Sequence, residues 1–351
     1  MKHAGLPATD PQPIDLRLER PVLAVVVDTE EEFDWSKPFD RCATGTRSIP
    51  AQDRAHAIFD RHGLVPTYVM DYPVATCHSA VAYFRRLVDA GRAEVGTHCH
   101  PWVTPPYEES VNARNSFHGN LPAELEAAKI RSSTEAVAQA FGASPTVFKA
   151  GRYGVGPATF DTLRALGYTV DCSFVPHTCF AEQYGPSFLG MPDVPFFTDQ
   201  SRMLLEVPLS VGFAGPLSRM GRALPALTGS PWAQRAHLPG ILSRLRVLER
   251  VRLSPEGFDL ASQIRLLDAM VGQGVSVFTL TYHSPSLAPG NTPYVRTEQD
   301  LEDFLARIDG VLSHFSGALN GRFTTLAALR QEAAPADSPA PEAAVAQTAK
   351  H

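Results

Sequence analysis

Long apolar runs are missing from this chain: no stretch approaches the roughly 20 residues that a membrane-spanning helix needs. An apolar signal core is also missing from Met1–Pro21, which carries charges and prolines instead, so export by a standard signal peptide is not expected. Cysteine is sparse and unpatterned. Cys42, Cys77, Cys99, Cys172 and Cys179 are odd in number and include no Cys-x-x-Cys pair. Free thiols in a reducing compartment, and a cytoplasmic location, are therefore expected. Positive charge is not in excess either. A net charge of −6 argues against a nucleic-acid binder. No internal repeat is visible. What is there is 351 residues, 44% hydrophobic and 19% charged, the composition of a soluble enzyme with a sizeable core.

Period and punctuation alternate along the chain. Strands are expected at 22–28, 65–70, 93–98, 145–149, 168–172, 203–208 and 275–282. Helices are expected at 51–62, 79–90, 122–141, 157–166, 258–273, 297–314 and 323–331, with Ser79 as one cap, Pro122 and Pro157 in first turns, and Gly63, Gly91, Gly142 and Gly167 at helix ends. Strands separated by helices imply a parallel sheet with right-handed crossovers, and seven of them suit an α/β barrel.

Three expected strands stop on groups that bind metals or move protons. Val22–Val27 runs into Asp28-Thr29-Glu30, where i and i+2 share a face and two carboxylates would repel without a cation or proton between them. Glu94-Val-Gly-Thr-His98-Cys-His100 places two imidazoles on one side of a strand end, with Cys99 pointing away. Val275–Thr281 ends on His283, a proton donor if it faces the carboxylates. Strand C-terminal ends converge on one face of a barrel, so these clusters would assemble there. The bland alternatives are loop acids at 30–32 and packed histidines.

Further residues have two readings each. Trp102 is a wall for a sugar ring or plain packing. Lys149 or Arg152, beside Tyr153, could hold Asp28 ionised or be a solvated cation in a glycine turn. Asp171 could orient His283 through a hydrogen bond, and Asp71 is a spare acid for metal or substrate; either could equally be a turn acid. Tyr282 precedes His283 and is counted with the substrate or supporting residues.

Two segments break the rhythm. Residues 332–351, rich in Ala, Pro and Glu, read as a disordered tail, as residues 1–20 read as an extension. Residues 211–256 read as an insertion holding seven arginines against two glutamates. Within it, Ile241, Leu242, Leu245, Leu248 and Val251 form an apolar stripe flanked by Arg244, Arg246, Arg250 and Arg252. A basic amphipathic helix over 241–252 is expected. It would pack on the barrel with a solvated basic face; the alternatives are peripheral contact with an anionic membrane or an acidic substrate.

Taken in order, these residues resemble the NodB-like polysaccharide deacetylases of carbohydrate esterase family four, and within it the WalW-type branch. The likeness spans roughly residues 20–330. The family's first motif matches Val27-Asp28-Thr29-Glu30, with Asp28 as the base; Thr29 stands where a ligand is usual and Glu30 substitutes. The second matches at Glu94–His98, with His100 as second histidine and Trp102 where the family's would stand. The third matches Phe148-Lys149-Ala-Gly-Arg152-Tyr153-Gly154, the last Leu280-Thr-Tyr282-His283. The resemblance implies a distorted (β/α)7 barrel, single-domain with an insertion. It further implies a divalent metal, most commonly zinc, on Glu30, His98 and His100. An acetylated sugar or glycan would be the substrate, Asp28 the base and His283 the acid.

Two rivals remain. An amidohydrolase-type barrel opens with His-x-His, but on its first strand, whereas His98 falls on about the third. A metal-free or non-catalytic barrel of the same fold would bind a carbohydrate or hydrolyse another C–N bond.

Overall fold

The computed structural model describes residues 5–14, 16, 18–216 and 248–333. The expected tail from residue 334 onward, and the part of the basic segment that carries Arg244 and Arg246, lie outside them.

The strands are Gln12–Pro13 (β1), Val22–Thr29 (β2), Thr67–Met70 (β3), Glu94–Cys99 (β4), Val147–Ala150 (β5), Val170–Asp171 (β6), Phe196–Phe197 (β7), Leu205–Glu206 (β8), Val211–Ala214 (β9), Glu249–Arg252 (β10), Val277–His283 (β11) and Arg322–Phe323 (β12). The main sheet runs β1-β7-β8-β6-β5-β4-β3-β2-β11. From β8 to β11 every pairing is parallel, and these are the seven strands expected from the sequence. β7 and β1 extend one edge antiparallel, and β12 pairs with the first residues of β2.

Helices cover the outside: Gln52–Arg61 (α1), Tyr72–Thr76 (α2), His78–Asp89 (α3), Ala123–Phe141 (α4), Thr159–Ala165 (α5), Leu260–Val271 (α6), Glu298–Gly317 (α7) and Leu326–Glu332 (α8). Their ends follow the local chemistry. Asp71 accepts the Val74 N–H at the start of α2, Asp259 accepts Ser262 N–H at α6, and Thr297 with Asp300 closes a reciprocal cap on α7. Gly142 ends α4 at φ 78°, a conformation glycine adopts without a Cβ clash. Ser79 does not cap α3. The helix begins at His78 with Cys77 at its cap position.

The sheet curls around a small apolar interior. Val22, Ala24 and Val26 of β2 point inward with Val69, Val147, Val170 and Leu205, while Leu23, Val25 and Val27 point outward against the helices. β8 and β11 do not share a ladder. Instead Ser210 and Thr279 clasp each other, each hydroxyl accepting the other's backbone N–H at 2.9 Å. Leu253 bridges beside them, donating to Ser210 O and accepting from Thr281 N–H.

The insertion corrects one expectation. Glu249–Arg252 is not helical but pairs antiparallel with Val211–Ala214. Val251 is buried between two arginines, so this stretch alternates with the period of a strand. All five cysteines are free. Among the described residues, no helix is long and apolar enough to cross a membrane.

Candidate active site

Strand parity puts the site together. Asp28 lies two residues after inward-facing Val26, and β2 and β11 are in register with Asp28 opposite His283. On the next pair, His98 lies opposite Lys149. All four side chains therefore rise from the C-terminal rim of the inner face. Asp28 binds Lys149 Nζ at 2.5 Å, and Lys149 also donates to Thr281 Oγ1 at 2.8 Å. Burial works to raise the Asp28 carboxyl. Lys149, His98 and His283 outweigh it and hold the carboxyl below its usual range. Lys149, rather than Arg152, is thus the cation that keeps Asp28 ionised.

Beside this pair sit Glu30, His98 and His100, all buried. His98 Nδ1 is 2.9 Å from the Lys149 carbonyl, which can only accept, so Nδ1 carries the proton. His100 Nδ1 lies 2.8 Å from Glu31 Oε2 and donates to it. Both Nε2 atoms then present lone pairs to each other across 3.2 Å. Burial depresses both rings, His98 well below its ordinary value and His100 to about 4, so neither is protonated near neutral pH. Glu30 Oε2 stands 3.8 Å from His98 Nε2 and 3.5 Å from His100 Nε2, and Glu30 Oε1 is buried with no partner. Burial and the neighbouring carboxylates push the Glu30 carboxyl well up, a cost that a cation among the three donor atoms would offset. Two ligands at ~2.1 Å from a tetrahedral ion would lie about 3.4 Å apart, close to the distances observed. The donor set, two imidazoles and one carboxylate, suits zinc or a similar divalent ion.

Supporting contacts explain why the shortened His-x-His spacing still converges. Gly151 packs where a Cβ would strike the Cys99 carbonyl and the His100 ring, so only glycine lets β5 come this close. Trp102 stacks on His100 with ring centres 4.2 Å apart and donates Nε1–H to Glu31 Oε1 at 2.9 Å. Buried behind His100, Trp102 presents no face to the cleft. It is a backing plate and not a sugar platform. Asp71 caps α2 and accepts Glu31 N–H at 2.8 Å, so it braces Glu31. Burial pushes both carboxyls up, Asp71 the further.

His283 is held by Glu256, which accepts from Nδ1 at 2.7 Å and from the His283 backbone N–H at 3.0 Å. Burial raises the Glu256 carboxyl, but contact with His283 and Ser286 more than offsets it. His283 Nε2 is 3.8 Å from Asp28 Oδ2.

Asp171 does not orient His283. It faces outward, bonded to Ser173 and paired in register with Glu206. Tyr282 also leaves the site, because one residue before His283 parity turns it outward, where it donates to Gln52 at 3.1 Å. Glu31 and Glu256 were missed in the sequence. Glu31 follows the end of β2, where alternation no longer applies. Glu256 lies in a Ser-Pro-Glu-Gly turn with no periodic signal.

Above the floor opens a cleft of about 360 Å³. Trp35, Phe33, Phe39 and Tyr294 line it together with Arg152, Tyr153 and Arg252, and Arg152 packs over the Phe39 ring.

No sequence-family model matches the chain, and no curated protein matches it. Solved structures do. A provisionally assigned polysaccharide deacetylase from Mycobacterium smegmatis superposes with a TM-score of 0.51 at 15% identity, over 93% of this chain and 94% of its own. The PuuE allantoinase gives 0.52 at 13% identity, over 91% and 93%. At such identities the likeness concerns architecture: the chain has the single-domain NodB-type (β/α) barrel fold, with His98 on its third parallel strand. That position is not the first-strand His-x-His of an amidohydrolase barrel.

Proposed function

We propose that the cleft is the active site of a metal-dependent deacylase of the NodB-like, WalW-type kind, which removes an acetyl or similar acyl group from an amino sugar or glycan intermediate. The observation that carries this is the meeting of the two Nε2 lone pairs with Glu30 Oε2, whose companion oxygen is buried without a partner, directly beside an ionised Asp28. Glu30, His98 and His100 would hold the ion. When bound, a divalent metal supplies a Lewis acid for the acyl carbonyl and for water.

The chain's own groups do the rest. Asp28, kept ionised by Lys149, accepts a proton from the attacking water. Water oxygen bonds to the acyl carbon, and the C–N or C–O bond to the sugar breaks. His283, oriented by Glu256 through Nδ1, gives an Nε2 proton to the departing nitrogen or oxygen. The short path from Asp28 to His283 lets the proton return for the next cycle. The aromatic residues Trp35 and Tyr294 shield the cleft from bulk water.

The test is metal content by elemental analysis together with acetate release from acetylated amino sugars. One divalent ion per chain, lost in His98→Ala with acetate release, is expected. A protein that takes up no Zn²⁺, Co²⁺, Ni²⁺ or Mn²⁺ and releases no acetate would instead favour a metal-free or purely binding barrel.

A further inference from the structure

Among the described residues, Arg152 and Arg252, which both line the cleft, form no ion pair with a protein carboxylate. Arg152 donates to two neutral acceptors, Ser116 Oγ and Gln183 Oε1, the latter at 3.1 Å. Its guanidinium carbon sits 4.0 Å from the Phe117 ring centre and 5.0 Å from that of Phe39. Among the described residues it has no ion-pair partner, and burial alone pulls its guanidinium down to about 10. The backbone is strained to put it there. Arg152 and Tyr153 are consecutive non-glycine residues at φ 54° and 59°. Such conformations persist where surrounding structure enforces them, often at ligand sites.

Arg252 approaches from β10. Its NH1 donates to Tyr153 Oη at 2.9 Å, while its Nε is buried with no acceptor. The carboxylates that act on it, Glu256 and Asp28, are already bound to His283 and Lys149. Arg250, next on the same strand, also has only neutral acceptors, His177 O and Thr178 Oγ1. A second unfilled donor belongs to another residue of the cleft: Trp35 lines it, and its Nε1–H is buried without a partner. Buried donors and cations left open in this way cost solvation unless something supplies acceptors. A guanidinium offers five N–H groups in a planar fork that matches carboxylate and phosphate oxygens.

We propose that the substrate carries an anionic group, a carboxylate or a phosphate, which Arg152 and Arg252 bind while the acyl group reaches Glu30, His98 and His100. This rests on the deacylase reading of the same cleft. The anion would fill the open donors of Arg252 and Trp35 and fix the sugar's orientation against the aromatic residues of the cleft. It would also discriminate, because a neutral sugar leaves the guanidinium groups desolvated and unpaired.

The experiment compares three N-acetylated amino sugars with the Zn²⁺-loaded protein: a neutral one, its 1-phosphate and its uronate counterpart. At least one anionic substrate should exceed the neutral one in kcat/KM by about 10- to 100-fold, the range of a charge-assisted hydrogen bond. Arg152→Gln and Arg252→Gln should erase most of that ratio, mainly through KM, and Arg152→Lys should restore part of it. Which anion is preferred separates phosphate from carboxylate. Equal rates on all three substrates, or arginine variants that lose equally on all three, would overturn the proposal.

Calorimetric titration of inorganic phosphate and glucuronate, into Zn²⁺-loaded and metal-stripped protein, keeps the two readings apart. Arginine-dependent anion binding without turnover of any substrate sustains the anion site and sinks the deacylase. Turnover of the neutral sugar with no arginine-dependent binding does the reverse. A variant that no longer melts cooperatively is replaced by its lysine counterpart.

Discussion

Two pairs of buried charged groups stand at strand ends of the same sheet, on opposite faces. On the inner face, Asp28 meets Lys149 at 2.5 Å and its carboxyl is held low. On the outer face, Asp171 meets Glu206 in register, with no lysine or arginine paired to either among the described residues, and burial pushes both carboxyls up, Glu206 well above its ordinary value. Asp171 Oδ2 and Glu206 Oε2 receive no donor from the protein, so a shared proton satisfies both. Two strand-end aspartates are thus pushed in opposite directions, because parity gives one a lysine partner on the inner face and the other a glutamate on the outer face. The inner pair holds an ionised carboxylate. The outer pair holds a proton between its two carboxyls, and Glu206 also receives the Phe174 N–H.

The contrast can be broken most forcefully at Lys149. Lys149→Met should destabilise the protein by about 3–5 kcal/mol in denaturant melts, because it strands a buried carboxylate. It should also abolish hydrolysis, since Asp28 would then hold its proton at neutral pH. Adding Asp28→Asn should recover much of the stability and none of the activity. If the double variant is no more stable than the single one, the pair is not coupled as described.

A smaller effect sharpens the outer pair. Its folded-state acids are raised, so the unfolded chain releases protons first as pH climbs from about 4. The folded state then binds more protons, and stability falls with rising pH until the raised folded value is passed. Glu206→Gln removes that titration and leaves a permanent amide donor for Asp171. Its stability should change less between pH 4 and 8, with a difference on the order of 1 kcal/mol from wild type. Matching slopes for the two proteins would remove the shared proton from the account.

The smallest effect tests parity itself. Tyr282→Phe, one residue from His283, should cost about 1 kcal/mol for the lost bond to Gln52 and leave kcat/KM intact. A large kinetic loss there would mean that the outward face reaches the chemistry.

The sequence was most legible where period is enforced by burial. The apolar runs leading to Asp28, His98 and His283 are strands for the reason the alternation gives, and the i, i+2 rule brings Asp28, Glu30, His98 and His100 to one rim. Legibility failed where the chain leaves regular structure. Glu31 holds His100 only because the backbone turns after Thr29. Glu256 reaches His283 across 27 residues of sequence from an irregular turn. The arginines of 250–252 were read with the helical period of the residues before them, although Glu-Arg-Val-Arg alternates like a strand. Asp171 shows the converse error. A strand-end acid was counted with the site although Val170, its neighbour, is the residue that points inward.

The Ser210–Thr279 clasp has a consequence for how such a protein can change. Where β8 meets β11 the wall is fastened by two hydroxyls rather than by a ladder. Beyond Ser210 the chain leaves the main sheet: Val211–Ala214 pairs only with Glu249–Arg252, an excursion that interrupts no parallel pairing. That same excursion delivers Arg252 and, just beyond it, Glu256 to the cleft. The barrel therefore separates the strands that must stay paired in order to fold from an arm that shapes part of the cleft, so a change in that arm's length or charge need not disturb the parallel sheet.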